Sequence, residues 1–184
     1  MSHILDLSGA HEALFQLRHL AFGSRELCRR QPLHFGDDDF TPDEWDAYQG
    51  QLHFLVSRAL INSAINFRVL QDTLRSQSGE KSLTEAEIDL ALTSDLKLGD
   101  VIDGGFELTL RESCNKIIHT TRFDLLFSES RTGKPSRWYS YWNGDVRALG
   151  IQGTRRWELV LDVPNWCDAI DAYFECLSGD LEWR

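Results

Sequence analysis

The chain's 184 residues suffice for one domain with a buried core and fall short of two ordinary ones. Its 42% hydrophobic and 26% charged residues exclude wholesale disorder. The formal net charge of -10 argues against nonspecific nucleic-acid binding by the surface as a whole, although a local basic patch stays open.

Leu14, Leu17, Ala21, Leu27 and Cys28 keep helical spacing, which predicts a first helix over 9–30, weakened at Gly23 and ended by Gln31-Pro32. Asp37, Asp38 and Asp39 lack the alternation of a calcium loop and read as a solvated linker. Thr41-Pro-Asp-Glu44 is a capping box with proline at the first helical position. It opens a long helix to about residue 76, with Trp45, Tyr48, Leu52, Leu55 and Ala59 on its apolar face. Arg58, Asn62 and Asn66 form a polar stripe on that helix. Ser82-Leu-Thr-Glu85 starts a short helix to about Leu92, and the glycine-bearing run 93–105 reads as an irregular connection.

Residues 106–119 read as a helix with two neighbouring faces. Phe106, Leu110, Cys114 and Ile117 make an apolar stripe; Arg111, Asn115 and His119 recur at steps of four beside it. Beyond His119 the period shortens. Strands are predicted over 122–127, 137–142, 146–151 and 156–163, the last two joined by Gln152-Gly153-Thr154, with Asn143-Gly144 the strongest hairpin signal. Pro164-Asn-Trp166 opens a last helix to about Leu177. The fold expected is α+β: one domain over 1–184, a bundle of about four helices (9–120 and 164–177) with an antiparallel β-meander, 122–163, before the C-terminal helix.

Arg111, Asn115 and His119 are the candidate catalytic residues. An imidazole exchanges protons near neutrality, a guanidinium holds phosphate, and an amide orients either. Arg122, Lys134, Arg137, Arg155 and Arg156, interleaved with Trp138, Tyr139, Tyr141, Trp142 and Trp157, have the composition of a single-strand RNA platform, provided the rings are exposed. No metal-ligand spacing, phosphate loop or cofactor motif is present. The four cysteines lack CxxC spacing and read as reduced thiols of a cytoplasmic protein; neither a secretory leader nor a membrane-spanning stretch is visible.

Asn115-Lys-Ile-Ile-His119 on a helix within a small bundle resembles the HEPN superfamily. That resemblance implies a homodimer and a metal-independent endoribonuclease or RNA-binding protein of a toxin–antitoxin or phage-defence type, with an antitoxin or larger protein as possible partner. His119 would be acid/base, Arg111 the phosphate contact and Asn115 the orienting group. Cys114 stands where the family's arginine precedes the polar residue, and Arg111 lies farther from His119 than the motif allows. The competing expectation is a non-catalytic homodimerising module of helical-bundle type. A weaker one is a sensor holding a nucleotide-like ligand.

Overall fold

The computed structural model describes residues 7–31, 34–35, 42–78, 83–131 and 138–180. Five helices and five strands occur among them: α1 (Leu7–Arg30), β1 (His34–Phe35), α2 (Pro42–Ser78), α3 (Leu83–Asp95), β2 (Gly99–Asp103), α4 (Leu110–Ile118), β3 (Thr120–Arg131), β4 (Trp138–Gln152), β5 (Arg155–Asp162) and α5 (Val163–Asp180). The architecture is α+β, with an antiparallel sheet before the last helix. No helix of the described residues is long and apolar enough to cross a membrane.

β4 is the spine of the sheet. β3 pairs along one edge of it from Thr120↔Gly150 to Arg131↔Trp138. The opposite edge is shared: β5 pairs with residues 145–152, and β1 with Trp138 and Tyr139. β2 continues the sheet outside β5. The free edge of β3 is partly guarded by α2, whose His53 Nε2 donates to the Phe123 carbonyl at 2.9 Å.

Helix and sheet residues interleave in one hydrophobic cluster. Leu14 and Leu17 of α1, Val56, Leu60 and Phe67 of α2, and Trp166 and Tyr173 of α5 meet Trp142, Val146 and Leu159 of the sheet. Polar ties fix the register of these layers. Ser24 on α1 accepts from the Trp142 N–H at 3.0 Å, and the Trp166 indole donates to Ser113 on α4 at 2.8 Å.

Three expectations are corrected. The Asn143-Gly144 hairpin does not form; β4 runs straight through it. Leu125 faces Val146 and Phe127 faces Trp142, so residues 143–145 bulge opposite Leu126 alone. Gly144 takes φ +99°, and the Asn143 amide bonds Asp145 at both its backbone N–H and its carboxylate. Positive φ is what Asn-Gly supplies, and here it makes a bulge because β3 holds the chain extended on both sides. The expected connection at Gln152-Gly153-Thr154 does form a tight turn, with Gly153 at φ +63° and Gln152 facing Arg155. Second, the supposed irregular run 93–105 contains the end of α3 and the edge strand β2. Third, the motif helix begins at Leu110 rather than Phe106. The antiparallel meander stands before the last helix as three strands, β3, β4 and β5, and β1 and β2 extend its sheet. The aspartate run, Thr41 and Ser82 lie outside the described residues.

Gly150 has no room for a side chain. A Cβ there would overlap the indole ring of Trp157, its cross-strand partner. Gly150→Ala is expected to destabilise the protein by about 1–3 kcal/mol in urea denaturation, the usual cost of overpacking.

Candidate functional site

Thr109 caps α4: its hydroxyl accepts from the Glu112 N–H at 3.1 Å. Thr109-Leu-Arg-Glu112 therefore has the spacing of a capping box, which is why the helix starts at Leu110. A second cap comes from elsewhere in the chain. Asp89 of α3, itself buried, accepts from the Leu110 N–H at 2.7 Å and the Arg111 N–H at 3.0 Å. Leu110, Cys114 and Ile117 face the core as expected. Burial pushes the Cys114 thiol well above its ordinary pKa, so it is a neutral packing group where the HEPN pattern has a cation.

The polar stripe is split between two neighbours. Arg111 turns to α2, where it meets Asp72 at 2.7 Å and Gln71 at 3.3 Å. Arg68 shares both partners at 3.4 Å. Asn115 and His119 turn instead toward the β4–β5 hairpin. They line a cleft of about 510 Å³ with Glu112, Lys116, Ile151, Gln152, Gly153 and Trp157. Arg111 is not among the lining residues. Helical geometry explains the separation: a step of four residues drifts about 40° around the axis, so the two ends of the stripe point about 80° apart. The helix also stops at Ile118, and His119 is its C-cap, with φ -102° and ψ 14°. His119 is exposed; its backbone N–H still bonds Asn115 O at 3.0 Å.

Lys116 forms the floor of the cleft. Only 5% exposed, its ammonium reaches Glu112 Oε1 at 3.1 Å and Gln152 Oε1 at 3.0 Å. It also sits 4.3 Å from the Phe106 ring centroid and 5.0 Å from that of Trp157. Glu112 Oε2 takes a further bond from the Asn115 amide at 3.1 Å. A buried cation thus has a carboxylate, an amide oxygen and two π faces around it. Sequence reasoning passed over Lys116, Glu112 and Gln152. The i,i+4 spacing of Glu112 and Lys116 was the one available signal.

Three of the five basic residues assigned to RNA, Arg122, Arg155 and Arg156, lie among the described residues. Arg122 is exposed and bonds Asp124 at 2.9 Å. Arg155 and Arg156 are exposed at the start of β5. Lys134 and Arg137 lie outside the described residues. Of the interleaved rings, Tyr139, Trp142 and Trp157 are buried, which removes them from stacking with bases. Among the described residues no three His, Cys, Asp or Glu side chains gather as a metal site would require.

Comparison with known protein families, with characterised proteins and with solved structures finds no match to this chain.

Proposed function

We propose that the chain is a non-catalytic interaction module that pairs with a second copy through the outer faces of α1 and α2. One observation carries this reading: Phe15 and Phe22 on α1 are 61% and 72% exposed, and Phe54 and Ile65 on α2 are 61% and 43% exposed. These four lie opposite the buried faces of their helices. On α2, Ala47, Gln51, Phe54, Arg58, Ile61 and Ile65 alternate steps of four and three, the seam spacing of paired helices, with four of the six positions apolar. That seam is nearly its own complement. In an antiparallel pairing with the two-fold axis between Ala59 and Leu60, Phe54 falls opposite the second copy's Ile65 position, and the second copy's Phe54 position opposite Ile65.

The size also fits a second copy. Two helices, each about 10 Å wide and in contact over about 20 residues, offer roughly 600 Å² per chain. The pair would bury roughly 1,200 Å², the lower limit of a stable dimer. Each chain carries -10, so dimerisation rests on apolar burial and is expected to strengthen with salt as repulsion is screened. Support also comes from the polar stripe: Arg111 ties α4 to Asp72 of α2, and Asn115 bonds Glu112 within α4. The variant Phe54→Glu with Ile65→Glu is expected to elute as a monomer in size-exclusion chromatography while keeping its helical circular dichroism. Retained assembly would reject the surface.

A second reading, metal-independent RNA cleavage, is favoured by one arrangement: His119, Asn115 and Lys116 share a cleft. There Lys116, not Arg111, would be the cation near the phosphate. On this reading His119→Ala is expected to lower RNA cleavage at least 100-fold in a gel assay with chelator present, the usual contribution of a general acid or base. Equal cleavage by both proteins, or none by either, removes it.

A further inference from the structure

The outer edge of β3 carries main-chain groups that no other strand uses. We propose that an extended basic segment of a partner protein adds to this edge as a further strand, laying lysine or arginine side chains into the groove between β3 and α2. The groove lies on the flank of α2, apart from the pairing face that carries Phe54 and Ile65.

Among the described residues β3 pairs with β4 alone. Two bonds show which of its main-chain groups are left over. The Phe123 carbonyl is turned to α2, where it accepts from His53 at 2.9 Å. The Trp142 N–H, across from Phe127, goes to Ser24 on α1 instead of to β3. Phe123↔Ala148 and Phe127↔Trp142 are therefore unbonded pairs, whose N–H and C=O groups point away from the facing strand. Leu125, two residues from each, shares that direction. A row of donors and acceptors is thus open to another extended backbone, and that selects a polypeptide as the occupant. No lysine or proline guards the row between Phe123 and Phe127.

The groove selects the side chains. Phe123, Leu125 and Phe127 line one wall of it; Asp46, Gln49, Gly50 and His53 of α2 line the other, around about 530 Å³. Asp124 is already held by Arg122 at 2.9 Å, whereas Asp46 has no ion-pair partner among the described residues. A lysine or arginine suits both walls: its stem covers the apolar one and its charge reaches Asp46. The chain's net charge of -10 draws a basic segment from a distance as well.

Gly50 supports the same reading independently. It lies inside α2, where glycine costs about 1 kcal/mol against alanine. A Cβ there would meet nothing within 4 Å, so packing within the described chain does not require the glycine. Its bare backbone leaves the helix wall of the groove open.

The test is fluorescence anisotropy of a labelled octapeptide that alternates lysine and valine. It is expected to bind one per chain in the micromolar range, at least about tenfold more tightly than the same peptide with glutamate for lysine. Methylating the lysine amide nitrogens keeps the charge and removes the donors that face β3. That peptide is expected to bind at least about tenfold more weakly, which separates strand addition from general attraction to an acidic chain. Gly50→Leu fills the groove and is expected to weaken the lysine peptide by a similar factor without lowering the urea midpoint. Asp46→Asn is expected to narrow the preference for lysine over glutamate. Absence of binding at millimolar lysine peptide overturns the proposal. Binding of the methylated or the glutamate peptide as tightly as the lysine peptide overturns it too, as does undiminished binding to Gly50→Leu. A lysine peptide that splits paired chains in sedimentation means that a second copy holds the edge, and also overturns it.

Discussion

Asp89→Ala is expected to destabilise the protein by about 3 kcal/mol, more than any other single polar substitution at α4. The Asp89 carboxylate takes the first two N–H groups of the helix, at 2.7 and 3.0 Å, and its own helix supplies Thr93 as a further donor. Bonds to a buried charged acceptor contribute about 1.5–3 kcal/mol each, and alanine leaves Leu110 N–H, which is buried, without a partner. The negative charge at a helix N-terminus adds to this. Asp89→Asn keeps one acceptor oxygen and should lose less. Urea denaturation followed at 222 nm measures both. A loss under about 1 kcal/mol for Asp89→Ala would mean that Thr109 caps α4 unaided.

Lys116→Ala should be the next largest, at about 2 kcal/mol. The substitution removes the stem and the cation–π contacts to Phe106 and Trp157, and leaves Glu112 and Gln152 without their donor. Breaking a fully buried pair costs about 3–5 kcal/mol, but the Glu112 side chain is 30% exposed, so water takes over part of its solvation. Lys116→Met retains the apolar stem and separates packing from charge. If charge matters as described, Lys116→Met is destabilised, and adding Glu112→Gln recovers part of the loss in a double-mutant cycle. A Lys116→Met protein as stable as wild type would reduce Lys116 to a packing group.

Much of the fold could be read from local patterns. The apolar faces of α1, α2 and α5, the end of α1 at Arg30 and the start of α2 at Pro42 needed only helical periodicity and proline geometry. Reading failed where a partner strand decided the outcome. Asn143-Gly144 is a turn signal by itself, but β3 paired on both sides of it turns the same φ preference into a bulge. Gly99–Asp103 has only Val101 and Ile102 as apolar residues; it becomes a strand because β5 offers an edge. The candidate site was half legible. Asn115 and His119 do share a cleft, but Arg111 left it for Asp72, since stripe spacing ignores both drift around the axis and the neighbours waiting on each side. Lys116 was invisible because a lysine at a buried position is recognised only by what surrounds it, and Gln152 and Trp157 come from another part of the chain. The exposed phenylalanines of α1 and α2 were within reach of periodicity: Phe15 and Phe22 fall off the stripe of Leu14, Leu17, Ala21 and Cys28, as Phe54 falls off that of Leu52 and Ala59.

The pairing of two chains through α1 and α2 is tested most directly by sedimentation equilibrium of the wild-type protein at several salt concentrations, beside Phe54→Glu with Ile65→Glu. The wild type should give twice the chain mass at micromolar concentration, more completely as salt rises, and the variant the mass of one chain throughout. A wild type that stays at one chain mass up to high micromolar concentration, or a variant that still sediments as a pair, would contradict the account.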